Sequence, residues 1–261
     1  MTVLPARVPS GAIAPTPGAP EKAAVRSMFD RIAPRYDLLN RVLSGGTDVR
    51  WRREAVGALA LRGPARVLDL CTGTADLLIE VLARDPRHTG VGVDLSQAML
   101  ARGVPKLAQR GLGRRAALVA GDAERLPLPA ACFDAALVSF GIRNVGDALQ
   151  ALRELGRVLR PGAPLVVLEF ALPHGPASAL YRFYFGRLLP RIGAFVSGDR
   201  GAYAYLPASV ARFPSPAAFG ALMEQAGFGR VTRVRLTAGI AYIHRGEAPS
   251  QPAAPPEASR A

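Results

Sequence analysis

The stretch Arg66 to Asp76, RVLDLCTGTAD, decides how this chain is read. Val67, Leu68 and Leu70 make a short apolar strand with Asp69 near its end. Thr72, Gly73, Thr74 and Ala75 make a small-residue turn, and Asp76 opens a helix. Strand, tight turn and helix N-terminus together form a ligand cradle, because the turn's N–H groups and the positive end of the helix dipole face one crevice. A dinucleotide fold needs G-x-G-x-x-G here so that a pyrophosphate can approach the backbone, whereas this stretch has a single glycine with an acid ahead of it. The ligand expected is one with a positive end and no pyrophosphate.

The next apolar run, Val91 to Ser96 (VGVDLS), ends in a second acid, Asp94. An acid about 20 residues beyond the turn suits a ribose, since a carboxylate accepts hydrogen bonds from both hydroxyls. Acid, glycine turn and second acid together resemble the class I S-adenosylmethionine-dependent methyltransferases. Further outward, the spacing predicts strands near residues 66–70, 90–94, 116–119, 133–139 and 164–170, alternating with helices near 75–84, 96–109 and 145–158. That is the βαβ rhythm of a doubly wound parallel sheet, with its site at the strands' C-terminal ends. A helix near 216–226 and strands near 230–235 and 239–244 would complete a mostly parallel, seven-stranded, Rossmann-like α/β sheet with a reversed last strand.

Residues 21–246 are read as one catalytic domain. From Lys22 to Ala60 the apolar residues fall at helical spacing, interrupted at Pro34. This predicts an N-terminal helical flank over residues 21–60, with a helix from about Asp48 to Ala60 capped by Thr47 or Asp48. Such a flank could act as a lid that expels water from the crevice. Residues 173–214 form an insertion rich in aromatic residues, among them Tyr181, Phe183, Tyr184, Phe185, Phe195, Tyr203, Tyr205 and Phe213. Its place after the catalytic edge suits a helical, aromatic substrate cover, and half-buried helix packing suits it equally. Residues 1–20 and 247–261 are Pro- and Ala-rich and cannot offset their ordering entropy by burial, so both are read as disordered tails.

With 261 residues, 49% of them hydrophobic, the chain can bury one good-sized core. It has no apolar run of the ~18 residues that suggests a transmembrane helix. It also lacks the basic-then-apolar start of a signal peptide and the cysteines for a disulfide framework. The expected compartment is the cytoplasm. Of the two cysteines, Cys71 in the turn reads as a small packing residue. The formal charge is +13, and of 33 basic residues only Lys22 and Lys106 are lysine. So arginine-rich a composition arises from coding bias as readily as from function. If the charge has a partner, anionic lipid headgroups come first.

Further stretches make the resemblance specific. Met28 to Asn40 (MFDRIAPRYDLLN), Gly121 to Pro129 (GDAERLPLP), Ser139 to Asn144 (SFGIRN), Arg157 to Phe170 (RVLRPGAPLVVLEF), Gly227-Phe228 and Gly239 to Gly246 (GIAYIHRG) resemble the ubiquinone/menaquinone biosynthesis methyltransferase family. Its members C-methylate prenylated quinols. The resemblance spans Val25 to Gly246 and implies S-adenosyl-L-methionine as cofactor. Residue by residue, it implies that Thr74 lines the methionine end, Asp94 takes the ribose hydroxyls, Asp122 and Ala123 flank the adenine, and Ser139 follows on the fourth strand. Asp69 would favour the cofactor's ammonium group and Gly73 would permit close approach. Ala75 stands where many relatives have a second glycine, and Gly162-Ala163 where Gly-Gly is common. No metal site is assigned.

Methyl transfer to a ring carbon needs an electron-rich quinol, whose ionisation raises reactivity. Arg143 is expected to support the oxyanion, as an electrostatic anchor or through a water, with Asn144 and Tyr36 orienting the ring hydroxyls. His244 and His174 are candidate proton acceptors. Demethylmenaquinol is the favoured substrate, and a bifunctional enzyme that also takes the benzoquinol precursor of ubiquinone is the alternative. A polyprenyl substrate implies transient contact with the inner face of the membrane. A nucleic-acid adenine methyltransferase would place N/D-P-P-Y/F where this chain has Ser139-Phe140-Gly141. A nicotinamide oxidoreductase would need the missing glycines, and a non-catalytic membrane-binding module would rest on the charge alone.

Overall fold

A computed structural model describes residues 21–173 and 200–250. The N-terminal flank contains α1 (Lys22–Ile32), a 3-10 turn at Ala33–Arg35, α2 (Tyr36–Ser44) and α3 (Thr47–Ala58). Pro34 sits in the 3-10 turn, where its missing N–H costs nothing and its ring separates α1 from α2. α2 ends on Gly45 and Gly46, both left-handed, and Gly46 is the residue that starts α3. The expected cap at Thr47 or Asp48 is therefore displaced. Thr47 Oγ1 donates back to Ser44 O at 2.6 Å, and Asp48 is buried in the first turn, accepting from Ser44 Oγ.

The sheet follows with β1 (Arg66–Leu70), α4 (Asp76–Arg84), β2 (Thr89–Asp94), α5 (Gln97–Gln109), β3 (Ala116–Ala120) and β4 (Ala135–Ser139). Next come a 3-10 turn at Ile142–Asn144, α6 (Ala148–Val158) and β5 (Pro164–Phe170). After the undescribed residues come α7 (Arg200–Arg212), α8 (Pro216–Gln225), β6 (Gly229–Leu236) and β7 (Ala241–Glu247). Strand order is β3-β2-β1-β4-β5-β7-β6, with β7 antiparallel to both neighbours and the other pairings parallel. The order reverses between β1 and β4, the switch point outside which an α/β sheet binds ligands. Register sets Leu70 beside Val93 and Val138, so Asp69, Asp94 and Ser139 arrive at one edge.

Alternation along β1 divides the core. Leu68 and Leu70 face α6 and α8 among Phe133, Leu152, Leu155 and Phe219. Val67 faces the other way, toward Trp51, Ala55, Leu77 and Val81 of α3 and α4. Trp51 donates Nε1–H to Thr237 Oγ1 at 2.9 Å, which ties the flank to the far end of the sheet. Edge strand β6 carries Arg230, Arg233 and Arg235, charges that discourage pairing with another chain.

Three further boundaries differ from expectation. The chain stays in the fold past 247: Ala248 is buried and exchanges backbone hydrogen bonds with Gly162 and Ala163. The fourth strand starts at Ala135, and α6 at Ala148 because Asp147 caps it through Gln150 N. The expected N-terminal tail, the C-terminal tail beyond 250 and residues 174–199 of the insertion lie outside the described residues. The described part of the insertion is helical.

Candidate active site

A cleft of about 710 Å³ runs along the C-terminal ends of β1, β2 and β4 and beneath α1 and α2. The β1–α4 turn forms its floor. Gly73 has φ +54°, a conformation glycine adopts freely, but Cys71 and Ala75 also have positive φ, at 57° and 67°. These two side chains are held in a costly backbone by what surrounds them. Cys71 packs against Gly141, where an added Cβ would lie 2.2 Å from the Cys71 Cβ. The glycine of SFGIRN is thus required by close approach. Burial pushes the Cys71 thiol well above its ordinary range, as suits a packing role.

Asp94 accepts from Gly73 N and Ser96 N, each at 2.8 Å, one on each carboxylate oxygen. Each oxygen keeps a lone pair for a diol. Burial raises its pKa against these bonds. Asp69 is 1% exposed; its Oδ2 accepts from Thr72 Oγ1 at 2.6 Å and Leu78 N at 3.1 Å, while Oδ1 is buried without a partner. Burial pushes its pKa to about 7. Ser139 Oγ is likewise buried and unpaired. Asp122 and Ala123 line the far side of the cleft with Ser139. Asp122 is not a free acceptor. Its Oδ2 pairs with Lys22 Nζ at 2.7 Å, and Lys22 also meets Glu124 at 2.7 Å.

Thr74 Oγ1 donates to Asp37 Oδ1 at 2.6 Å, and Lys106 joins Asp37 to Asp76. Tyr36 and Asn144 line the cleft, and burial holds the Tyr36 phenol protonated above its usual range. Arg143, the expected electrostatic anchor, is held by partners within the protein. Its guanidinium is 7% exposed and paired at 2.7 Å with Glu169, which is 1% exposed at the end of β5. The planar cation also lies over the Phe170 ring and donates to Phe140 O. Asn144 Oδ1 accepts from Tyr205 OH at 3.1 Å, so α7 of the insertion touches the site.

His244 is not placed as proton acceptor. His244 is buried mid-strand against Phe219 and Pro216 O, with its pKa lowered by burial, and His174 lies outside the described residues. Sequence reasoning missed Glu169, although VVLEF repeats the signal of VLDL and VGVD: an acid closing an apolar strand. It also missed Asp37, which lies inside the quoted stretch Met28 to Asn40, and Lys22 and Arg52, which reach the site from helices where no local pattern marks them.

The residues present fit S-adenosylmethionine. Asp69 Oδ1 and Ser139 Oγ are buried polar atoms that need partners, and Asp94 can take a diol. Fold and site together define a class I S-adenosylmethionine-dependent methyltransferase. The profile of the ubiE/COQ5 methyltransferase family matches residues 18–248, and the chain belongs to that family. It is 51% identical over 222 residues to the ubiquinone/menaquinone biosynthesis C-methyltransferase UbiE of Syntrophotalea carbinolica, covering 85% of this chain and 92% of that protein. It is 50% identical to the demethylmenaquinone methyltransferase of Thermus thermophilus, covering 85% of this chain and all of that one. Among solved structures, the [4+2]-cyclase SpnF aligns with a TM-score of 0.68 at 21% identity, over 89% of this chain and 98% of that one. An Aquifex aeolicus S-adenosylmethionine-dependent methyltransferase gives a TM-score of 0.58 at 17% identity, over 87% and 98%. These two likenesses support the fold alone.

Proposed function

We propose that this enzyme C-methylates demethylmenaquinol to menaquinol, with S-adenosylmethionine as methyl donor. The observation that carries the reading is the full-length match to a demethylmenaquinone methyltransferase at 50% identity. The bound cofactor would supply an electrophilic methyl group. In this reading Thr74 and Asp69 hold its methionine end, Asp94 its ribose, and Asp122 and Ala123 its adenine, with Ser139 on the fourth strand. Gly73 lets the ligand approach the turn, and Asp122 exchanges Lys22 for the adenine amine.

Asn144 and Tyr36 orient the quinol hydroxyls. Tyr36 stays protonated and therefore donates. Arg143, clamped by Glu169, lends positive potential to the developing ring oxyanion from just behind Asn144. Restoring the aromatic ring would require the ring-carbon proton to pass to solvent water at the cleft mouth. Leu38 and Val42, one turn apart and exposed on α2, give a prenyl-bearing substrate an apolar approach at the membrane surface.

A second reading, a bifunctional enzyme, is favoured by the UbiE relative, whose name includes ubiquinone. Both are tested by transfer of labelled methyl to a short-chain demethylmenaquinol under reducing conditions, beside the matching benzoquinol and an unmethylated nucleic acid. Product from the naphthoquinol alone is the expected result, and product from both quinols makes the enzyme bifunctional. No quinol product despite cofactor binding overturns the substrate and leaves the cofactor standing.

A further inference from the structure

Beside the β1–α4 turn lies a second recess of about 350 Å³, and among the described residues lining it Asp69 and Asp76 are the acids and Arg52 the cation. Helix α3 carries three arginines in one turn but directs a single one inward. The side chains of Arg50, Arg52 and Arg53 are 82%, 11% and 64% exposed. Arg52 follows Trp51, whose burial against the sheet sets the rotation of the helix.

Arg52 is only partly committed. Its Nη1 lies 2.9 Å from Asp48 Oδ2 and 3.2 Å from Asp76 Oδ2. The Asp48 contact lacks hydrogen-bond alignment, and that oxygen has no hydrogen-bond partner. Both contacts use the same nitrogen. The Nε and Nη2 hydrogens, the edge of the fork that takes a carboxylate side-on, are outside these pairs. Its charge also reaches the rest of the recess, where it opposes the upward push of burial on both Tyr36 and Asp69.

The same recess is lined by Asp69, whose Oδ1 is buried and without a partner. An amino-acid head carries one ammonium and one carboxylate, so a buried receptor for it needs one group of each sign. We propose that Arg52 binds the α-carboxylate of the cofactor's methionine end while Asp69 takes its ammonium group. The recess is then a two-charge site for a zwitterionic amino-acid head, and this rests on the S-adenosylmethionine reading. Asp48 and Asp76 serve as positioning residues that keep the guanidinium at the pocket wall when no carboxylate is there.

The test is calorimetric titration of two compounds: S-adenosylhomocysteine and its decarboxylated analogue, which keeps the nucleoside, sulfur and ammonium. Wild type is expected to prefer the carboxylate compound by about tenfold or more, the scale of a charge-assisted pair. Arg52→Met should erase that preference by weakening S-adenosylhomocysteine alone, with the analogue bound as by wild type. Arg52→Lys, which keeps the ion pairs without the fork, should retain part of the preference. Equal losses for both compounds in Arg52→Met, or an undiminished preference in either variant, overturn the assignment. Wild type that binds both compounds equally overturns the carboxylate subsite alone. Wild type that binds neither overturns the cofactor reading beneath it.

Discussion

Three acids close three strands, and each has a different fate. Asp94 is satisfied by two backbone amides, Glu169 is ion-paired with Arg143, and Asp69 keeps one oxygen without a partner. The Asp69 pKa of about 7 is well above the carboxylate range because burial outweighs its two hydrogen bonds. Its ionised form therefore costs native stability as pH rises from about 4 toward 7, the reverse of a salt-bridged aspartate. An ammonium group in the pocket favours the ionised form. Below pH 7, cofactor binding must release the Asp69 proton. S-adenosylhomocysteine affinity is expected to be flat above pH 7 and to fall by up to about tenfold per unit below it. Proton release should appear in calorimetry across buffers of different ionisation enthalpy. Asp69→Asn should remove the pH dependence, lower affinity throughout, and raise the Tm of the ligand-free protein at pH 8. A variant that keeps the wild-type pH profile refutes the role given to Asp69.

At the scale of elements, the Arg143–Glu169 pair joins the 3-10 turn after β4 to the end of β5, and Ser209 and Tyr205 bring α7 onto the same place. Phe140 and Phe170 stack at 4.3 Å beside it, with Trp51 of α3 tilted against Phe140 and edge-on to Phe170. Removing one partner from so buried a pair leaves an uncompensated charge. Glu169→Ala is expected to cost about 3–5 kcal/mol in urea unfolding. The double variant Arg143→Met with Glu169→Leu should recover most of that stability, since apolar groups of similar size fill the space without a desolvation cost. Turnover should not recover with it, remaining down by about a hundredfold or more, because the positive potential behind the ring is gone. If the repacked double variant turns over at the wild-type rate, the pair is structural only.

For the whole molecule, topology does the assembling. The reversal of strand order between β1 and β4 opens the crevice, and α1, α2 and α3 close over it through Lys22, Asp37 and Arg52. The net charge of +13 is a property of the complete chain and acts at longer range than any of these contacts. Among the described residues no helix is long and apolar enough to cross a membrane. Contact with a bilayer would then be peripheral, combining charge with exposed Leu38 and Val42. Sedimentation with anionic vesicles should fall as salt shortens the Debye length from ~30 Å near 0.01 M to ~10 Å near 0.1 M. Binding should be weaker for Leu38→Asp and absent with zwitterionic vesicles. Salt-independent binding, or none at low salt, removes charge from the account of membrane contact.

The sequence alone determined the sheet and its cradle, because these depend on local signals. Apolar runs of strand length, helices at their own period and a small-residue turn after an acid all lie within a few residues of one another. Asp69 and Asp94 were legible for the same reason, each standing at the end of an apolar strand, and Gly73 by its place in the turn that follows; Ser139 was marked by the family resemblance. Only the tertiary structure decided what those groups meet. That Arg143 is paired with Glu169, that Lys22 occupies Asp122, and that Arg52 rather than Arg50 or Arg53 turns inward all depend on how a helix is rotated or a strand is paired. These contacts span from 24 to 100 residues of chain, and burial sets their energies. A pattern of neighbours in sequence does not carry that information, since burial belongs to the packed molecule.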